Sequence, residues 1–137
     1  LGEFLALAVS LEDLAMKTDN SKAKALAVAL DQATEKLLTE GKSPLRKAGQ
    51  LDNRGSHFYL AMYWAEALVN QADDKELAAK FKPLLESLSA NESKIIAEID
   101  VTQGKAADIG GYYYPDDALV TQAMCPSATL NGILAAV

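Results

Sequence analysis

The side chains best suited to chemistry in this sequence are basic ones, gathered in the segment 42–57 between two long apolar-periodic stretches. The segment holds four lysine and arginine residues and the only histidine, His57. Guanidinium groups bind phosphate or carboxylate oxygens in pairs and keep their charge permanently. Because the segment runs directly into a helix-like pattern, free backbone N–H groups should lie near these cations. The sequence therefore predicts an anion-binding loop in which Arg46, Lys47 and Arg54 make the contacts.

The alternative for this segment is a solvated connection between two helices with ordinary capping residues. Long connections without periodicity of their own are uncommon in compact domains, and they are usually functional or disordered. From the residues alone, both interpretations of the segment stay open.

No complete catalytic apparatus is visible in the sequence. His57 has no evident nucleophile, and the neighbouring Ser56 is more naturally the cap of a helix. The short acidic and amide pairs at 19–20, 73–74 and 116–117 are typical of helix starts rather than of clustered metal ligands. A single cysteine, Cys125, provides no thiolate pair for zinc. Neither of the common glycine-rich phosphate loops is present. Anion recognition is the chemistry that remains.

Length and charge narrow the class of protein. The 137 residues form one domain or part of one, and the formal net charge of -6 argues against nucleic acid or an anionic membrane as the main partner. No run approaches the roughly 18 apolar residues of a membrane span. A lone cysteine suits a reducing compartment.

The elements that must position the basic segment are helices, because apolar residues recur at steps of three and four. We predict an all-α fold of six or seven helices. The predicted helices cover 3–17, 22–40, 57–72, a segment that begins at 73–76 and is kinked or split at Pro83, a short one capped by Asn91, one from Asp116 or Asp117 to Met124, and a last one capped by Ser127.

Four details of this fold are open to test. The third helix is apolar around most of its circumference, so it should lie at the centre. On the first helix we expect a wide buried stripe that includes Leu5, Leu7 and Leu14. A strand over 94–101 is the main competitor of the fifth helix. The rings of 112–114 should cover core rather than stack on a ligand.

The sequence begins at Leu1 and enters a helical pattern without a capping residue. A helix normally starts with Ser, Thr, Asp or Asn, which satisfies its first N–H groups. We therefore expect the chain to be a fragment with residues missing upstream.

Several unusual strings of the sequence occur in an order that resembles one family, the monomeric, NADP-dependent isocitrate dehydrogenase of bacteria. The strings are LAVSLEDL at 7–14, KSPLRK at 42–47, LDNRGSHFYLA at 51–61 with YWA at 63–65, GGYYYP at 110–115 and PSATLN at 126–131. The resemblance covers essentially the whole chain.

This resemblance implies a cytoplasmic parent enzyme that oxidises isocitrate to 2-oxoglutarate and carbon dioxide with NADP and a divalent metal, Mg or Mn. It implies that residues 1–137 are a single helical region of the cofactor-side domain, at the carboxyl-terminal end of a larger α/β enzyme. The substrate and metal residues would precede residue 1. No catalytic or metal-binding residue is therefore carried over, and the fragment alone should be inactive.

The resemblance does carry over one cofactor contact. The family's arginine in this KSPxRK string touches the 2′-phosphate of the adenosine ribose of NADP, and Arg46 occupies that position. Lys47 and Arg54 are added because they lie in the same loop. The family's other phosphate-contacting residues would precede residue 1, so phosphate binding by the piece alone should be weak.

Two functions of other classes remain as alternatives. The chain could be a free-standing helical interaction module with an anion-binding loop, or an acidic adapter that binds a phosphorylated peptide through that loop. For a fragment, the expected partners are NADP and the remainder of the parent chain. Cutting a helical region from its domain exposes apolar faces, so we also expect the isolated piece to self-associate.

Overall fold

The computed structural model describes residues 2–137, which form an array of seven α-helices and contain no strand. The helices are α1 (Gly2–Thr18), α2 (Ser21–Thr39), α3 (Asn53–Asn70), α4 (Lys75–Ala90), α5 (Glu92–Asp100), α6 (Asp117–Met124) and α7 (Ala128–Leu134). The predicted all-α class is confirmed, and the strand considered for 94–101 is wrong. The expectation that depends on Leu1 concerns a residue outside the described range.

The first four helices pack in chain order, each chiefly on the next. α3 lies between α2 and α4, also touches α5, and contributes nine buried residues. The predicted central position of this helix is confirmed. Within the described residues, every helix is too short or too polar to cross a bilayer.

The core forms where α2, α3, α4 and α5 meet. Phe58 of α3 is almost fully buried there against leucines of the neighbouring helices and Ile95 of α5. Burying one side chain of this size stabilises a fold by about 1.5–3 kcal/mol. The half-buried Trp64 adds a polar tie between α2 and α3, because its Nε1–H donates to the carbonyl oxygen of Leu26 at 3.0 Å.

Short polar side chains begin most of these helices. Asn20, Asp116 and Ser127 each accept a hydrogen bond from a backbone N–H in the first turn of α2, α6 and α7. The predicted start of α6 at Asp116 or Asp117 and the predicted capping of α7 by Ser127 are confirmed. Asn91 occupies the predicted position before α5, but its side chain donates to the carbonyl of Ser87 instead of capping.

α3 begins four residues before its predicted start at His57. The Asp52 carboxylate accepts hydrogen bonds from the N–H groups of Arg54 (2.9 Å) and Gly55 (3.1 Å), so it is the cap of this helix. Ser56, the predicted cap, is wrong: it lies inside the first turn and is buried. The carboxylate of Asp52 reaches the first N–H groups, and the helix therefore starts directly after it.

The predicted buried stripe of α1 is too wide. Phe4, Ala8 and Ala15 are buried, whereas Leu5, Leu7 and Leu14 are exposed. The physical reason is that α1 packs chiefly on α2, which covers one narrow face and leaves the rest of the stripe open.

Two further expectations need correction or refinement. α4 continues through Pro83, so the helix is not split there. Pro83 is exposed, and water can bond the carbonyl that its missing N–H leaves unpaired. The rings of Tyr112, Tyr113 and Tyr114 are 88%, 86% and 92% exposed, so the expectation that they cover core is wrong.

Candidate functional site

The candidate site is the connection between α2 and α3, residues 41–52, which we call the basic loop. Gly41 starts it with a φ of 64°, the left-handed conformation expected at the end of a helix. The N–H of Lys42 then donates to the carbonyl of Leu37 at 2.9 Å. The path of the chain out of α2 is thus fixed by backbone contacts.

Backbone hydrogen bonds close the basic loop on itself. The N–H of Leu45 donates to the carbonyl of Leu51 at 2.8 Å, which joins the two sides of the loop at its base. Further out, the N–H of Gln50 donates to the carbonyl of Lys47 at 3.2 Å, and Gly49 has a φ of 82°. Residues 46–50 therefore form a closed tip.

The side chain of Lys42 holds the entrance of the loop against α3. Its Nζ lies 4.2 Å from the centre of the Tyr59 ring, within the range of a cation–π contact. The hydroxyl of Tyr59 donates to Glu92 at 2.8 Å. Burial and then the neighbouring Glu92 raise the pKa of Tyr59 well above its usual range, so the hydroxyl keeps its proton.

Arg46 and Lys47 occupy the tip and are both exposed to solvent. Within residues 2–137, neither side chain forms a hydrogen bond or an ion pair. Their charges are therefore not neutralised by a side chain of residues 2–137, and their role as anion contacts stays a prediction.

Arg54 lies in a different environment, at the base of the loop. Its Nε and Nη2 donate to the Asp52 carboxylate, and its Nη1 donates to Thr102 Oγ1 (3.0 Å) and to the carbonyl of Ala123 (2.8 Å). Four of the five guanidinium N–H groups are thus occupied. Arg54 joins the start of α3 to the turn after α5 and to the end of α6. Its role as an anion contact stays a prediction, and one N–H remains for it.

The Asp52 carboxylate is both the cap of α3 and the counter-ion of Arg54. Burial opposes its charge, but the Arg54 guanidinium and the N–H groups of Gly55 and Arg54 outweigh that effect and lower the pKa of Asp52. Because these N–H groups bond to Asp52, the expectation of free backbone donors at the start of α3 is wrong.

His57 and Ser56 form no catalytic pair. The Nδ1 of His57 lies 2.6 Å from the carbonyl of Asn53, and its ring packs edge-on against Phe4 of α1. Ser56 Oγ is buried and has no hydrogen-bond partner within the described chain. Nor do residues 2–137 bring together three or more His, Cys, Asp or Glu side chains that could hold a metal ion.

Sequence reasoning missed one residue that contacts the tip of the basic loop. Gln103, in the turn after α5 (residues 101–104), bonds to the backbone of Gly49 and Gln50. A contact between residues more than 50 positions apart leaves no periodic or local signal in the sequence.

Comparisons with known proteins identify relatives of the whole chain. A family model described as monomeric isocitrate dehydrogenase matches residues 1–135. The chain is 56% identical over 135 residues to "Isocitrate dehydrogenase [NADP]" of Azotobacter vinelandii, covering 98% of this chain and 18% of that protein. It is 53% identical over 137 residues to "Isocitrate dehydrogenase [NADP] 2" of Mycobacterium tuberculosis, covering 100% of this chain and 18% of that protein. The chain thus spans about a fifth of the length of these curated relatives.

Proposed function

The chain belongs to the monomeric isocitrate dehydrogenase family, and from this membership we propose that it is part of a longer NADP-dependent isocitrate dehydrogenase. The relatives named above, of which the chain spans 18%, carry that activity and cofactor in their names. The proposed parent is a cytoplasmic enzyme that oxidises isocitrate to 2-oxoglutarate and carbon dioxide. This parent would use NADP as its hydride acceptor, together with a divalent metal, Mg or Mn.

Within this parent, residues 1–137 are proposed to be a single helical region of the cofactor-side domain, at its carboxyl-terminal end. The partners of this region are then the remainder of the parent chain and NADP. The substrate and metal residues are proposed to lie in that remainder, and no chemical step is assigned to the residues of this chain.

The contribution proposed for this chain is a contact with the 2′-phosphate that distinguishes NADP from NAD. The observation that supports it most is that Arg46 is exposed at the tip of a closed loop and has no ion-pair partner within residues 2–137. A guanidinium fits a phosphate because two of its N–H groups can donate to two oxygens at once. Lys47, its exposed neighbour, would add a second positive charge without this geometry.

Arg54 is the weakest of the three proposed contacts. Its guanidinium already bonds to Asp52, Thr102 and Ala123, so only one N–H is left for a phosphate oxygen. Its more direct effect on the site is to fix the base of the loop that carries Arg46.

The test is Arg46→Ala in the intact protein, with the dissociation constants of NADP and NAD measured by titration. A charge-assisted phosphate contact contributes about 1.5–3 kcal/mol, so NADP should bind roughly tenfold to over a hundredfold more weakly. NAD binding should be unchanged, because NAD has no 2′-phosphate.

Lys17→Ala is the matched control, since it removes the same charge from the end of α1. α2 has 19 residues and so separates this position from the basic loop by about 28 Å. An unchanged preference for NADP in Arg46→Ala would refute the proposed contact. Tighter binding of a phosphopeptide than of NADP would instead favour the adapter alternative.

Self-association of the isolated piece remains part of the proposal. Leu5, Val9 and Met16 of α1 are 52%, 62% and 78% exposed and lie along one side of the helix. Exposed apolar stripes of this kind promote association between copies. Light scattering of the isolated piece should show a dimer or larger species, and a monomer would contradict the expectation.

A further inference from the structure

We propose that Gln103 is a positioning residue of the nucleotide site: its carboxamide holds the tip of the basic loop in the conformation that presents Arg46. This inference rests on the proposed function, because the anion it concerns is the 2′-phosphate of NADP. Gln103 itself touches no part of the cofactor in this proposal. It acts through the backbone of the loop.

The carboxamide of Gln103 contacts the tip with both of its polar atoms. Its Oε1 accepts a hydrogen bond from the N–H of Gly49 at 2.7 Å. Its Nε2 donates to the carbonyl of Gln50 at 3.0 Å and to Asp100 Oδ1 at 3.1 Å. The two loop bonds fall on successive residues, two to four positions after the cations Arg46 and Lys47.

This pattern requires a carboxamide. A glutamate at position 103 could accept from Gly49, but it could not donate to Gln50, and it would face the carboxylate of Asp100. A methionine would keep the length of the side chain and lose every bond. The chemistry of the site therefore specifies an amide rather than only a side chain of suitable size.

Gln103 is itself fixed to the core of the protein. Its N–H donates to the carbonyl of Asp100 at 3.0 Å, and the preceding N–H, of Thr102, donates to the carbonyl of Ile99 at 3.2 Å. Ile99 is almost completely buried in the core cluster. The tip of the loop is thus connected to the core through one short turn.

The same turn holds the base of the loop. Thr102 Oγ1 accepts from Arg54, which also bonds to the Asp52 carboxylate at the loop exit. In addition, a Cβ placed on Gly104 would lie 3.6 Å from the Cβ of Ala48, so the turn passes close to the tip. Tip and base are therefore held by adjacent residues of one turn.

The functional consequence is pre-organisation. A loop that is ordered before the phosphate arrives loses less conformational entropy on binding, and a loop without the Gln103 bonds must be ordered by the ligand. Removing one or two neutral hydrogen bonds should weaken NADP binding by about two- to tenfold. Binding of NAD should be unaffected, since NAD places no phosphate at this loop.

The test is Gln103→Met in the intact protein, with titrations of NADP and NAD and a measurement of kcat at saturating NADP. We expect NADP to bind about two- to tenfold more weakly, with kcat and NAD binding unchanged. Gln103→Glu should weaken NADP at least as much. The matched control is Gln122→Met on α6, because Gln122 is exposed and makes no side-chain hydrogen bond within residues 2–137. This control should leave both cofactors unaffected.

A double-mutant cycle separates positioning from a general structural effect. If Gln103 acts by presenting Arg46, then Gln103→Met should weaken NADP much less in an Arg46→Ala background than in the wild-type background. An equal loss in both backgrounds would overturn the inference, and so would an equal loss for NADP and NAD. If Arg46→Ala weakens NADP while Gln103→Met does not, the inference fails and the proposed function stands. If neither change affects NADP, both the inference and the proposed 2′-phosphate contact fail.

Discussion

The chain has two irregular exposed segments that the fold treats very differently: the basic loop (residues 41–52) and the segment 105–116, which we call the tyrosine loop. Each contains a glycine with a positive φ, 82° at Gly49 and 80° at Gly110. The tip of the basic loop is held by a side chain from the turn after α5. The tyrosine loop is closed by its own backbone, where the N–H of Asp116 donates to the carbonyl of Ile109 at 2.7 Å.

This difference shows that exposure alone does not identify a site. The rings of Tyr112, Tyr113 and Tyr114 are almost fully exposed, and within residues 2–137 their hydroxyl groups make no hydrogen bond. In the basic loop, the N–H of Lys42 donates to Leu37 of α2 before the exposed cations, and Gln103 of the turn after α5 bonds to the backbone after them. A segment held in place from outside can present charge in a defined position.

The largest effect we expect in this comparison comes from Arg54→Met. The change removes four hydrogen bonds at the base of the basic loop and leaves the half-buried Asp52 without its counter-ion. The free energy of unfolding of the intact protein, measured with urea, should fall by about 2–3 kcal/mol.

The control for this change is Lys17→Met, which breaks an ion pair with Asp13 whose two side chains are 73% and 51% exposed. Such surface pairs contribute between 0 and about 1 kcal/mol. If both changes lower the free energy of unfolding equally, the hydrogen bonds of Arg54 stabilise the fold no more than an ordinary surface ion pair does.

Substituting alanine for Gly49 and for Gly110 compares how much stability each loop loses when a Cβ is added. Gly49 has open space around it, so Gly49→Ala should cost only the strain of a positive φ, about 1 kcal/mol. At Gly110 an added Cβ would also lie 3.0 Å from the Cβ of Asp116 and 3.2 Å from its nitrogen. Gly110→Ala should therefore lower the free energy of unfolding by about 2 kcal/mol. Equal losses in thermal unfolding would contradict this difference.

A third prediction concerns the pH dependence of stability and the substitution Asp52→Asn. The expected change in the free energy of unfolding is smaller, because asparagine caps a helix as well as aspartate does. The folded protein lowers the pKa of Asp52 below its usual 3.8. The ionised carboxylate therefore stabilises the fold at any pH above that usual value, and this contribution is lost as the pH falls through the lower folded pKa. Compared with Asp52→Asn, the wild type should be more stable at neutral pH and should lose that advantage below about pH 3.8. Parallel unfolding curves at both pH values would count against the assignment.

The smallest effect should come from the tyrosine loop. Replacing Tyr112, Tyr113 and Tyr114 with serine should change the free energy of unfolding by no more than about 0.5 kcal/mol per residue, as expected for exposed side chains. The control is Tyr63→Ser on α3, where the ring is 7% exposed and its loss should be far more damaging. A large loss from the tyrosine loop would mean that other parts of the intact protein cover its rings.

Local sequence signals were sufficient to predict most of the fold. Apolar periodicity locates the helices, and Asp116 and Ser127 mark two helix starts, because capping acts within three residues. The predicted start of α3 at His57 is four residues too late. Asn53 and Gly55 are poor helix formers, and the turn is stabilised by the N–H groups of Arg54 and Gly55, which donate to the Asp52 carboxylate.

The candidate site was less accessible from sequence. The exposure of Arg46 follows from its place in a polar loop, and that could be anticipated. The internal use of Arg54 could not, because its acceptors on Thr102 and Ala123 are 48 and 69 residues away. The contacts of Gln103 with Gly49 and Gln50 could not be anticipated either, because they also join residues that are far apart in the sequence. Long-range polar contacts depend on how the helices pack, which no local pattern encodes.

The packing of Trp64 gives this chain an internal optical reporter. It is the only tryptophan, and its indole N–H bonds to α2 while its ring belongs to α3. Its fluorescence should respond when those two helices separate and remain constant when only the exposed segments move. In the isolated residues 1–137, which contain no other tryptophan, emission spectra can therefore distinguish a loosened loop from a damaged core without any label.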